Sequence, residues 1–219
     1  MRIIKIIFLF IAIISLTSCA SGYKIIEPKT VNYISTNEKN GVKLKYKYDL
    51  LNKKYSEKEV KKGVKIVAVK LTNNSDQDLM FGREIKLTYE NGNEIFIMDN
   101  DKVFSSLKQK PAFHLFYLLL TPVNLNIINS NGSSSSIPIG LGLGPLLAGM
   151  NMVKASLANK KFKNEILESD MNGTLIKKGE TKYGLIGIKA DTFDSLILKI
   201  EESPLVTTAN RKKGQLSKK

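Results

Sequence analysis

VKIVAVKL, residues 64–71, is a β-branched, apolar run that stops at Asn73-Asn74-Ser75-Asp76, a cluster of turn formers. It reads as a strand ending in a turn, and the chain around it follows the same pattern. Residues 42–48 (VKLKYKY) alternate strictly, which puts Val42, Leu44, Tyr46 and Tyr48 on one face. Residues 85–89 alternate again, Glu90-Asn91-Gly92-Asn93 carries an Asn-Gly hairpin signal, and residues 94–98 return. Residues 54–62 are charged and read as a loop or a single helical turn. Late in the chain, residues 174–176 lead into a Lys178-Gly179-Glu180 turn, followed by strands over 183–188 and 196–200. Short strands at this spacing predict a mainly β fold, an antiparallel sandwich.

The pair VAVKLTNNSDQDLMF and LIKKGETKYGLIGIKAD resembles the small immunoglobulin-like domains of exported bacterial proteins. The resemblance is one of pattern, covers about half of the chain that follows residue 18, and implies an immunoglobulin-like sandwich over residues 42–202.

An apolar insertion, about residues 103–170, separates the two sets of strands. PAFHLFYLLLTP (residues 111–122) and IPIGLGLGPLLAGMNMVKASLANKKFKNEILE flank NSNGSSSS, a turn by composition. The expectation is an α-helical hairpin. Gly144-Pro145 resembles a helix start, Leu146, Met150, Val153 and Leu157 recur at helical spacing, and Phe162 with Ile166 continues an adjacent stripe. Gly140, Gly144 and Ala148 fall four apart, the spacing that lets helices touch closely. Pro145 within that run removes a backbone donor and argues against a continuous helix there. As helices, residues 113–120 would cover ~12 Å and residues 137–150 about 21 Å, against ~30 Å of hydrocarbon. The favoured reading packs the hairpin on the domain or on a second copy. In the alternative, Phe113, Leu115, Phe116 and Leu119 take it into lipid.

The chain opens MRIIKIIFLFIAIISLTSC, with Arg2 and Lys5 ahead of an apolar run and small residues before the single cysteine, Cys19. This is the layout of an export signal. Leu16-Thr17-Ser18-Cys19 resembles the lipobox of bacterial lipoproteins. That resemblance implies cleavage between Ser18 and Cys19, a diacylglyceryl group on the Cys19 thiol and acylation of the new amine. One acyl chain binds a membrane reversibly and two or more hold stably. Residues 19–41 then read as a lipidated tether with one short strand near residues 31–34. Residues 203–219 read as a basic, disordered tail. Ala20 stands where an aspartate favours inner-membrane retention in well-studied Gram-negative bacteria, so the outer membrane is the expected address.

The net charge of +14 falls to about +12 when Arg2 and Lys5 leave. Arginine occurs only at positions 2, 83 and 211, so the charge is carried by lysine, which argues against nucleic-acid recognition. A soluble lysine-rich surface is the simpler account, and attraction to anionic lipid is the functional one. Signals for chemistry are sparse. His114 is the lone histidine, set among apolar residues, and one histidine with one acylated cysteine does not make a zinc site. GLGLGP lacks the Lys-Ser/Thr of a phosphate loop, and MDNDK lacks the closing glutamate of a calcium loop. No catalytic residue, metal or cofactor is expected. The partners expected are membrane lipid through Cys19 and a protein partner or second copy, with no nucleic acid. The function expected is that of a membrane-anchored envelope lipoprotein, a non-enzymatic binding or structural module. The alternative is a membrane-active or transport accessory protein.

Overall fold

Strict alternation over residues 42–47 builds an edge-to-centre ladder in the computed structural model, which describes residues 19–201. The residues read as an export signal, with Leu16, Thr17 and Ser18, and those read as a tail from residue 203 lie outside the described residues. Strand β1 (Ser35–Lys39) turns through Asn40 and Gly41 into β2 (Val42–Lys47), and β2 pairs with β3 (Val64–Asn73). Both turn residues have positive φ, 51° and 77°, as a two-residue hairpin turn requires. β3 runs along β10 (Thr181–Lys189) from Thr72↔Thr181 to Val64↔Lys189, and β10 also pairs with β6 (Ile97–Met98). The five strands form one sheet in the order β1-β2-β3-β10-β6, antiparallel throughout.

Two short pairs complete the body. β4 (Leu79–Met80) joins β9 (Leu175–Ile176), and β5 (Ile85–Thr88) joins β11 (Ile197–Ile200), both antiparallel. One core draws on all of them: Leu44, Val67, Val69 and Ile186 from the large sheet, Leu79 with Ile176, and Leu87 with Leu198. The Asn91-Gly92 turn forms as expected, with the Gly92 N–H donating to Tyr89 O at 2.9 Å.

The other face of β3 and β10 is covered by helices. The charged segment expected as a loop or a single helical turn is a ten-residue helix, α1 (Lys53–Lys62), because Tyr55 and Glu59, one turn apart, both find buried places. Gly63 ends it in the left-handed conformation. Helix α2 (Asn100–Leu107) buries Val103 and Leu107. A Cβ on Gly187 would meet the Val103 side chain, so the glycine is what lets α2 approach β10. MDNDK is thereby explained as a helix start, with Asp99 Oδ1 accepting the Asp101 N–H at 2.8 Å. The strand expected near residues 31–34 lies slightly later, at β1.

A second compact unit comprises, among the described residues, 19–23 and 108–162, and the first comprises 24–107 and 163–201. The second unit is not the expected α-hairpin. Its first arm, Pro111–Leu120, is a 3₁₀ helix; NSNGSSSS closes a β-hairpin of β7 (Leu125–Ile128) and β8 (Ser134–Ile137); only the second arm is α-helical. That helix, α3 (Gly140–Glu168), starts five residues before Pro145 and runs through it, with its residues past Phe162 belonging to the first unit. Among the described residues no helix is long and apolar enough to cross a membrane.

Candidate lipid-anchor site

Cys19 is exposed and stands at the edge of the second unit, its Sγ 3.7 Å from the Tyr117 hydroxyl. Burial, and then the hydrogen bond with the thiol, push the Tyr117 phenol up to about 12, so it stays protonated and able to donate. A thioether at Cys19 would lose the thiol proton and keep a weak acceptor, which the phenol can still serve.

The residues after Cys19 are held by amide side chains, not free as a tether. The Ala20 N–H donates to Asn151 Oδ1 at 2.7 Å. The Ser21 N–H donates to Gln109 Oε1 at 3.1 Å, and Gln109 Nε2 donates back to Ser21 O at 2.8 Å. Gln109 is itself fixed by Asn159, whose Oδ1 accepts the Gln109 N–H at 2.8 Å and whose Nδ2 donates to Gln109 O at 2.9 Å. Ala20 and Ser21 are buried by this arrangement, while Cys19 is left pointing outward. Further along, in the first unit, the buried Glu165 accepts the Ile26 and Glu27 N–H groups at 2.5 and 3.1 Å. The stretch expected as a tether is pinned at both of these points, because its backbone donors have partners within the protein.

The close-contact residues sit where small side chains are needed. A Cβ on Gly140 would fall against the Leu120 and Thr121 carbonyls, and one on Gly144 would lie 3.0 Å from Tyr117 O. Ala148 follows on the same side and is buried. The two glycines bring α3 against the end of the 3₁₀ segment. His114 is buried and stacks on Tyr117, the rings 6.1 Å apart and 10° from parallel.

The apolar residues take the opposite course. Phe113, Leu115, Phe116 and Leu119 are all exposed, Phe116 to 65%. The Leu146, Met150, Val153 and Leu157 stripe, whose hairpin the favoured reading packs on the domain or on a second copy, is exposed as well, at 56%, 63%, 59% and 57%. The face of α3 that is buried carries Ala148, Asn151, Ala155, Ala158 and Asn159, and then Phe162 and Ile166. Small and amide residues at helical spacing were the signal for this face. Asn151, Asn159, Gln109 and Tyr117 are the site residues that hydrophobic patterning passed over. Among the described residues, no three His, Cys, Asp or Glu side chains gather as a metal site.

No family model, curated protein or solved structure matches the chain.

Proposed function

We propose that the chain is a bacterial envelope lipoprotein, anchored through acylated Cys19, whose body is an immunoglobulin-like sandwich acting without catalysis as a binding or organising module at a membrane surface. The observation that carries this reading is the arrangement at Cys19. The thiol is exposed, while the next two residues are buried and hydrogen-bonded through Asn151 and Gln109. An acyl chain on such a thiol leaves the protein without disturbing its packing. The core shared by the large sheet and the β4–β9 and β5–β11 pairs supports the sandwich. The outer membrane is the proposed address, on Ala20 at the position after the cysteine.

Growth of the producing bacterium with an alkyne-bearing fatty acid tests the anchor. The expected result is label on the wild-type protein and none on Cys19→Ala. Equal labelling of the two, or none on either, contradicts it.

A further inference from the structure

The second unit is inverted relative to an ordinary water-soluble fold. Its interior holds His114, Tyr117, Asn151, Asn159 and Gln109 beside Ala148, Ala155, Ala158 and Phe162, while its surface carries Phe113, Phe116, Leu119, Ile128, Leu146 and Met150. Every residue of β7 and β8 is exposed, Leu125, Ile127, Ile128 and Ile137 among them. A two-stranded hairpin bare on both faces is marginal in water, so a contact over its Leu125, Ile127, Ile128 and Ile137 side chains would stabilise this one. Exposed apolar patches of this extent mark interaction sites.

Charge says what the surrounding is. Between Asp101 and Glu165 there is no acidic residue, and between Lys110 and Lys154 there is no Asp, Glu, Lys or Arg at all. Lysines close both ends: Lys108 and Lys110 before the 3₁₀ segment, and Lys154, Lys160 and Lys161 late in α3. Lys110 Nζ lies over the Phe113 ring, 5.4 Å from its centroid, so a cation stands beside the exposed apolar surface. A second copy of the chain would bring the same positive ends with no acidic partner in this unit, whereas an anionic headgroup layer complements them. Tyr117 places the Cys19 sulfur on the same unit, at the 3₁₀ segment that carries Phe113 and Phe116.

We infer that this unit dips its exposed apolar surface into an anionic phospholipid leaflet beside the Cys19 lipid, without crossing it, and keeps its lysines in the headgroup layer. The inference deepens the lipoprotein reading and rests on it for the presence of a membrane.

The chain has no tryptophan, so Phe116→Trp supplies a single fluorescent reporter on an exposed position. The processed full chain carrying it is reconstituted in phosphatidylcholine–phosphatidylglycerol vesicles with brominated acyl chains. The expected result is quenching by the bromines and protection from aqueous iodide. Quenching by iodide puts the surface in water, and protection from both quenchers puts it against protein; either overturns the inference. Intact mass of the same sample separates the two ideas: a lipidated Cys19 together with iodide quenching of the Phe116→Trp reporter sinks the insertion and leaves the anchor standing. In a second arm, the mature polypeptide with Cys19→Ala is sedimented with the same vesicles. Adding Lys110→Gln or Lys154→Gln should weaken binding about fivefold each when the vesicles are anionic, and leave it unchanged on phosphatidylcholine alone. Equal loss on both vesicle types contradicts the headgroup assignment.

Discussion

Gln109 and Asn151 set the direction in which Cys19 leaves the protein, because their amides take both buried N–H groups that follow it. Asn151→Leu keeps the volume and removes the acceptor, leaving the Ala20 N–H buried and unsatisfied at a cost of about 1–3 kcal/mol. Hydrogen exchange should show the Ala20 amide losing protection while β3 and β10 amides keep theirs; unchanged protection at Ala20 would contradict the clasp. Glu59 makes a second prediction at this scale. Burial pushes its carboxyl up to about 7, although the Ile66 N–H at 2.8 Å and Lys65 act in the other direction. The folded chain therefore holds this proton at a pH where the unfolded chain, titrating near 4.3, has released it. With fewer protons bound in the unfolded state, the stability that Glu59 contributes is full below about pH 4 and is lost as pH rises toward 7. Glu59→Gln keeps the acceptor for Ile66 and removes the charge, so its melting temperature should lack that decline relative to wild type. Parallel pH profiles for the two proteins would show that Glu59 ionises freely in the fold.

At the scale of elements, α3 contains a built-in comparison. A Cβ on Gly140 meets backbone carbonyls of residues 120 and 121, which cannot swing aside, whereas one on Gly142 meets nothing within 4 Å. Gly140→Ala should destabilise by about 1–3 kcal/mol, and Gly142→Ala should be neutral or stabilising by up to about 1 kcal/mol. Similar melting curves for both variants would mean α3 does not approach the 3₁₀ segment. The strands of the first unit were legible and those of the β7–β8 hairpin were not. In β2 the residues Val42, Leu44 and Tyr46 are buried and their lysine neighbours are not, so period two in sequence is period two in burial. By contrast, every residue of β7 and β8 is exposed. β1 was partly legible too, since Asn40-Gly41 before an alternating run is a hairpin signal in its own right. The inner face of α3 was not, because helical periodicity offered two stripes and the leucine-rich one is normally the inner. Here reciprocal amide bonds make the Ala and Asn stripe the inner one. The 3₁₀ form of Pro111–Leu120 was equally hidden. Its buried residues, His114 and Tyr117, are three apart, a spacing that α and 3₁₀ helices both satisfy.

The whole molecule holds two units built on opposite plans. One follows the usual rule, with Leu44, Val69, Phe81 and Leu198 inside; the other keeps amides and small residues inside with Phe162, and presents leucines, Phe113 and Phe116 outside. The proposed address is read from a short linear motif, an export signal and its cysteine, which needs no fold to act. The work done at that address was not legible, since no cluster of catalytic groups marks the sequence and the partner surface depends on which stripe of a helix faces out. Attachment to a membrane depends first on the chemistry of one sulfur. Intact-mass and N-terminal fragment analysis of the protein isolated from its own membranes tests it most directly. The expected product begins at Cys19 and carries a diacylglyceryl thioether there; a chain that begins elsewhere, or an unmodified Cys19, would contradict it.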